Sequence, residues 1–301
     1  MPIKVWIKAA RLRTLPLAIA GAISGNLMAL AEKKSLHLTI FILSVLTAVA
    51  LQVLSNYAND YGDFKNGADT SERKDRVMAN GEISEIAMAK VIKYLVIICL
   101  ILGTTLLTVS IKNIGVSSIF LFLFGILGIA AAYFYTAGKK PYGYIGLGDL
   151  AVFLFFGYLA VMGTYFLQTS TLNSHIWWVA SAIGLLSVGV LNVNNIRDIE
   201  TDKLKNKITI PVNIGHNNAI KYHVFLMASA CICFLVYVYY QYNHPLQMSF
   251  LLILPLFLKH IMALRKAKKE ERISYNMQLK KLSILTLFVS LIFSISQIYF
   301  S

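Results

Sequence analysis

The feature that most limits how this chain can fold is a series of long apolar runs that recurs along its whole length. Each run has about 17 to 25 residues, enough for a helix that crosses the hydrocarbon core of a bilayer. The nine runs lie near 14–31, 37–58, 91–110, 115–136, 149–169, 175–196, 219–241, 246–264 and 282–300. Charged residues make up only 14% of the 301 residues, against about 25% in soluble domains. We therefore predict one all-α integral membrane domain, residues 1–301, with about nine transmembrane helices.

The first apolar run allows two interpretations. Four basic residues precede it, and Ala29-Leu30-Ala31 resembles the cleavage site of a signal peptide. The run is long for a signal sequence, however, and further spans follow at once. We therefore expect a retained first helix.

The distribution of basic residues predicts the orientation. If the N-terminus is cytoplasmic, the inner segments are the N-terminus and the loops near 59–90, 137–148, 197–218 and 265–281. In or beside these segments lie 4, 6, 2, 5 and 8 basic residues in turn, which is 25 of the 28 Lys and Arg residues. Cytoplasmic segments of membrane proteins carry this excess. The net charge of +14 is therefore better explained by cytoplasmic loops of a cell-membrane protein than by nucleic-acid binding.

Acidic residues are scarce and concentrated. Ten of the fourteen acidic residues fall in the inner segments that follow the second and the sixth span. This repeated arrangement suggests a weak internal duplication, and membrane proteins with internal repeats commonly have their site between the repeats. The first cluster contains Asn56, Asn59, Asp60, Asp63 and, further on, Asp69; the second contains Asn195, Asp198 and Asp202. Carboxylates one helical turn apart repel each other, and acids at a membrane span favour a functional role.

The donor atoms in these clusters predict a hard metal ion. Oxygen ligands without Cys or His suit Mg²⁺, which takes one or two carboxylates together with phosphate oxygens and water. We assign the aspartates Asp60, Asp63, Asp198 and Asp202 to metal binding and catalysis, and two such clusters would hold two Mg²⁺ ions against a diphosphate. The remaining phosphate charge would be met by the basic side chains Arg76, Lys139, Lys140 and Arg197.

The third inner loop, 133–149, combines glycines, aromatic residues and two lysines. Lysine supplies a point charge for phosphate, so we assign a catalytic role to Lys139. Tyrosine rings stabilise a nearby cation, so Tyr133 and Tyr135 are candidates for the reacting region. An interfacial aromatic belt explains these tyrosines equally well.

The two clusters resemble the paired aspartate motifs of the UbiA-type intramembrane aromatic prenyltransferases. Residues 195–202 fit the second motif, and 59–63 match the first half of the first. Where that motif, Asn-x-x-x-Asp-x-x-x-Asp, usually has its last aspartate this chain has Gly67, and the next acid is Asp69. This spacing, the segment 11–18 and the 135–149 loop are similar to the branch that acts on 1,4-dihydroxy-2-naphthoate. The resemblance extends from about residue 6 to at least Gly215.

The resemblance implies transfer of a polyprenyl group from its diphosphate to a small aromatic acid, with Mg²⁺, at the cytoplasmic side of the membrane. It implies metal-ligand roles for Asn59 and Asp69, and substrate contacts for Asn56 and Asn195. Three alternatives remain open: a phenolic acceptor such as 4-hydroxybenzoate, a lipid or polyprenyl-phosphate transferase, and a cation-coupled transporter. The transporter would place acids near the middle of spans, whereas these lie at span ends.

Overall fold

The computed structural model describes residues 2–67, 76–110, 116–138, 141–267 and 272–300. These parts of the chain are helical and contain no β-strand. The α-helices are α1 (Ile3–Ala10), α2 (Leu15–Lys33), α3 (Leu38–Lys65), α4 (Glu85–Ser110), α5 (Val116–Phe134), α6 (Gly148–Val152), α7 (Gly163–Thr169), α8 (Ile176–Arg197), α9 (Ile199–Leu204), α10 (Ile210–Tyr240), α11 (Leu254–Lys266) and α12 (Arg272–Phe300).

All nine predicted runs form helices. Among the described residues, eight helical segments are long and apolar enough to cross a membrane, and the apolar part of α5, Ile119–Phe134, is a shorter ninth. The chain is therefore a multi-pass membrane protein, as predicted. Apolar residues pack into a large cluster around α8, α10 and α12 and a smaller one around α3 and α4.

Two predicted helix starts were too late. Helix α10 is interrupted at Gly215 (φ 77°, ψ 165°), so its apolar part begins close to the predicted run. Helices α4 and α12, by contrast, begin at Glu85 and Arg272, six and ten residues before the apolar runs that predicted them. Their first turns are polar, and hydropathy detects only the part of a helix that faces lipid or core. The segment 148–169 is also less regular than expected, because π-helical geometry at Phe153–Met162 separates α6 from α7.

Helix α2 lies at the centre of the bundle and packs closely against the segment 148–169. A β-carbon on Gly21 would lie 2.7 Å from the β-carbon of Ala160, and one on Gly25 would lie 2.1 Å from Oγ1 of Thr164. Small residues four apart allow membrane helices to approach this closely. The pair therefore fixes where the segment 148–169 lies beside α2.

Replacing Gly25 by alanine is expected to lower the free energy of unfolding by about 1–3 kcal/mol, the usual cost of overpacking. The measurement is thermal unfolding of the purified protein in detergent. Gly103→Ala is the matched control, because a β-carbon on Gly103 meets no atom within 4 Å. Equal melting temperatures for the two variants would contradict the close packing of α2.

The ends of α3, α4 and α5 meet on one side of the bundle. Lys65 Nζ lies 2.7 Å from Glu85 Oε1, which joins the end of α3 to the start of α4. The amide of Asn66 donates to the carbonyl oxygen of Thr136 at 2.8 Å, just beyond the end of α5. These contacts place the polar end of α3 beside the loop that follows α5.

Candidate active site

Asp60 and Asp63 lie in the last turns of α3, and each is only 2% exposed. The guanidinium of Arg76 donates to Asp60 Oδ1 at 3.2 Å and to Asp63 Oδ2 at 2.8 Å. Arg11 lies 3.6 Å from Asp60 Oδ1. Two carboxylates buried one helical turn apart repel each other, and nearby positive charge is needed to keep both ionised. The arginines supply that charge, so this end of α3 is built to hold anionic oxygen next to cations.

The second aspartate pair lies where α8 meets α9. Asp198 accepts hydrogen bonds from Arg197 at 2.6 and 3.0 Å and from Arg272 at 2.7 Å. Asp202 is buried one turn later, with Lys207 Nζ 3.7 Å from its Oδ1. Each aspartate motif thus provides two buried carboxylates surrounded by basic side chains.

One turn of the chain connects the two aspartate motifs. The hydroxyl of Tyr144 donates to Asp63 Oδ1 at 2.7 Å, while its carbonyl oxygen accepts from Ile208 N at 2.9 Å. Lys207, the neighbour of Asp202, lies over the Tyr144 ring at 5.3 Å from the centroid. The two motifs therefore lie at the same end of the bundle, one on each side of Tyr144.

A second connection runs through the N-terminal segment. Arg11 contacts the first motif, whereas Arg13 donates to Asn276 Oδ1 at 3.2 Å. Asn276 also accepts from Arg197, which holds Asp198. No site role was predicted from the sequence for Arg11, Tyr144, Arg272 or Asn276, because their roles arise from contacts between distant segments.

An apolar cavity of about 340 Å³ begins next to these motifs. Its polar end is lined by Arg11, Asn59, Tyr135 and Asn194. From Asn59 the lining continues along α3 as far as Ser44, which is about 22 Å at 1.5 Å per residue. The rest of the wall is mostly apolar and comes from α2, α4, α5 and the segment 148–169. The cavity can hold a long apolar chain whose polar head lies at the aspartate end.

The other predicted substrate residues have different surroundings. Asn56 lines the cavity, and its amide also donates to the Ala10 carbonyl oxygen at 2.8 Å and to Thr14 Oγ1 at 3.1 Å. Asn195 is buried, and its neighbour Asn194 is the one that lines the cavity. Tyr133 packs beside the α3–α4 cluster and does not line the cavity as described. Asn56 thus anchors the N-terminal segment as well as facing the cavity.

Tyr135 lies where the cavity meets the polar end. Its hydroxyl fits against Gly148, on which a β-carbon would lie 2.9 Å from the oxygen, and its carbonyl oxygen accepts from Gly143 N at 3.0 Å. Burial, and next the negative charge of Asp149, raise the pKa of Tyr135 above the ordinary tyrosine value. The hydroxyl therefore stays protonated at neutral pH and is available as a hydrogen-bond donor.

The residues at the aspartate end fit Mg²⁺. Asn59 and the aspartates Asp60, Asp63, Asp198 and Asp202 offer only oxygen donors, the set that this ion prefers. Within the described residues no three acidic, His or Cys side chains gather around one point. Each site would thus rely on at most two carboxylates, with phosphate and water oxygens completing the shell. Three predicted site residues, Asp69, Lys139 and Lys140, lie outside the described residues.

A multi-pass helical bundle whose apolar cavity ends beside two buried carboxylate pairs is the architecture of an intramembrane enzyme for an amphiphile with an anionic head. The chain belongs to the UbiA prenyltransferase family, which it matches over residues 15–292. It is 37% identical to a 1,4-dihydroxy-2-naphthoate octaprenyltransferase of Haemophilus influenzae, over 97% of this chain and 95% of that protein. The protein of the same name from Escherichia coli is 39% identical over 85% of this chain and 83% of its own length.

Solved structures share the fold. A UbiA homolog from Archaeoglobus fulgidus bound to GPP and Mg²⁺ superposes with a TM-score of 0.65 at 16% identity, over 98% of this chain and 99% of that one. The apo UbiA homolog from Aeropyrum pernix K1 gives a TM-score of 0.66 at 18% identity, over 99% and 98%. At these identities the likeness shows the fold alone.

Proposed function

We propose that this chain transfers a polyprenyl group from polyprenyl diphosphate to 1,4-dihydroxy-2-naphthoate, releasing diphosphate and CO₂ and forming demethylmenaquinone in its reduced, quinol form. The observation that carries the proposal is an apolar cavity whose polar end, at Arg11, Asn59 and Asn194, lies beside the two buried carboxylate pairs of the aspartate motifs. The acceptor is suggested by the names of the two bacterial relatives. The charge bias of the loops favours a site on the cytoplasmic side of the cell membrane.

The diphosphate head would lie between the two motifs, with the prenyl tail along the cavity. Asp60 and Asp63 on one side, and Asp198 and Asp202 on the other, would hold Mg²⁺, for which we propose two ions. Bound Mg²⁺ supplies Lewis-acid stabilisation of the negative charge on a departing diphosphate. The basic side chains beside the motifs lie where they can contact phosphate oxygens.

The chain's own residues then direct the carbon chemistry. The allylic C–O bond breaks, and a new C–C bond forms at the ring carbon that bears the acceptor's carboxylate. The carboxylate leaves as CO₂, and its bonding electron pair restores the aromatic ring, so no proton is removed from that carbon. The ring face of Tyr135 would stabilise the developing allylic cation. The apolar wall keeps water away from the cation.

The test compares two acceptors in separate reactions with purified protein in nanodiscs, Mg²⁺ and a polyprenyl diphosphate. One reaction contains 1,4-dihydroxy-2-naphthoate and a matched one contains 4-hydroxybenzoate, with products identified by mass spectrometry. We expect a decarboxylated product from the first acceptor and no product when EDTA replaces Mg²⁺. Product from 4-hydroxybenzoate alone would overturn the proposed acceptor.

A further inference from the structure

Two glycines in the cavity wall differ from the glycines that pack helices together. Gly103 in α4 and Gly125 in α5 both line the cavity, and a β-carbon on either meets no atom within 4 Å. By contrast, a β-carbon on Gly157 would lie 2.5 Å from the carbonyl oxygen of Ala180. Close helix packing therefore explains Gly157 but neither Gly103 nor Gly125.

Glycine in the interior of a helix costs about 1 kcal/mol relative to alanine. At Gly103 and Gly125 no close backbone contact offsets that cost. What the missing side chains provide is empty volume in the cavity. Any larger residue at either position would point a side chain into space that a bound apolar chain would occupy.

The two glycines lie at different depths. The ends of α3, α4 and α5 on the aspartate side are level, because Lys65 contacts Glu85 and Asn66 contacts Thr136. At 1.5 Å per residue, Asn59 lies about 9 Å from that level, Gly125 about 14 Å and Gly103 about 27 Å. A tail that enters the cavity from its polar end therefore reaches Gly125 first and Gly103 later.

We infer that Gly125 and Gly103 determine how long a prenyl chain the cavity accepts, which rests on the proposed polyprenyl diphosphate as substrate. Their missing side chains leave the passage open at two successive depths. A side chain at Gly125 blocks the passage for all but short chains, and a side chain at Gly103 blocks it only for longer ones. The two positions are specificity determinants and take no part in the bond changes.

The experiment measures binding without any acceptor. Unlabelled all-trans prenyl diphosphates of increasing length, from geranyl through farnesyl and geranylgeranyl to longer chains, compete with labelled geranyl diphosphate on nanodisc-embedded protein with Mg²⁺. The variants are Gly125→Leu and Gly103→Leu. Matched controls are Ile101→Phe and Leu127→Phe, which add bulk to the same helices at exposed positions outside the cavity lining.

We expect geranyl diphosphate to bind all variants as it binds the wild type, which also reports that they are folded. Affinity should fall by about tenfold or more beyond a threshold length, the scale on which apolar pockets discriminate by size. That threshold length should be shorter for Gly125→Leu than for Gly103→Leu. The two control variants should bind every chain length as the wild type does. Gly103→Ala and Gly125→Ala, whose smaller side chains disturb folding least, should shift the threshold in the same direction.

Three results would overturn the inference: a wild type that binds none of these diphosphates, variants whose length dependence parallels that of the wild type, or an equal loss at every length, geranyl included. Turnover with 1,4-dihydroxy-2-naphthoate is measured separately. A wild type that binds the series but does not prenylate this acceptor would refute the proposed acceptor, and the dependence on chain length would still stand.

Discussion

Asp198→Asn is expected to lower prenyl transfer by about 100-fold or more, because losing a group that only supports a metal ligand already costs about 10–100-fold and Asp198 is proposed as a ligand itself. Asparagine keeps the shape and one carbonyl acceptor for Arg197 and Arg272 but removes the negative charge that would attract Mg²⁺. Product formation is measured by mass spectrometry over a range of Mg²⁺ concentrations, with Mn²⁺ binding followed independently by electron paramagnetic resonance. We expect weakened Mn²⁺ binding in parallel with the lost activity.

Glu200→Gln is the matched control for Asp198→Asn. Glu200 belongs to the same motif and lies two residues away, but its side chain is exposed, so its charge is screened by water. Activity and Mn²⁺ binding should remain at the wild-type level. If Asp198→Asn retained full turnover with normal Mn²⁺ binding, the second motif would not be a metal site. A variant that failed to purify as a folded protein would be replaced by Asp202→Asn, which tests the same motif.

Arg76→Met is expected to lower the free energy of unfolding by about 3–5 kcal/mol, because it removes one partner from a buried ion pair. Asp60 and Asp63 would keep their charges, with Arg11 near only one of them. Mg²⁺ should restore part of the loss, since a cation bound between the carboxylates replaces the missing guanidinium. The measurement is the melting temperature of the detergent-solubilised variant with and without Mg²⁺.

Lys203→Met is the control for Arg76→Met, because it removes a basic side chain from the exposed surface near the second motif. Its melting temperature should match that of the wild type under both conditions. An Arg76→Met protein as stable as the wild type without Mg²⁺ would mean that the carboxylates of the first motif do not need a cation. A loss of stability that Mg²⁺ leaves unchanged would argue against metal binding at Asp60 and Asp63.

Several parts of the fold could be predicted because the bilayer imposes them. A run of about twenty apolar residues has few alternatives to a spanning helix, so the nine runs identified the eight long apolar helical segments and the shorter ninth in the described part of the chain. The polar first turns of α4 and α12 were missed, because a helix outside the hydrocarbon region has no hydropathy signal. The π-helical geometry at Phe153–Met162 is also invisible in the sequence, since it depends on the fit against α8, where Gly157 meets Ala180.

The candidate site was predictable where acids stood out against an acid-poor chain. Asp60, Asp63, Asp198 and Asp202 were identified on that basis, and the structure gathers both pairs at one end of the bundle. Arg272 and Asn276 were not, because a basic residue and an asparagine in the polar segment before an apolar run are common in membrane proteins. The choice between Asn194 and Asn195 depended on the rotation of α8, which the i, i+4 spacing of the aspartates did not determine.

The turn that carries Tyr144 has a consequence for affinity. Its hydroxyl is hydrogen-bonded to Asp63 and its carbonyl oxygen to Ile208, next to Lys207, so one residue fixes the spacing between the motifs before any ligand arrives. A preorganised gap spares the ligand the entropy of drawing two loose halves together. The fixed spacing between the motifs also selects head groups by their size. A diphosphate that reaches both aspartate motifs gains contacts from each of them. A monophosphate at one motif makes no contacts with the other.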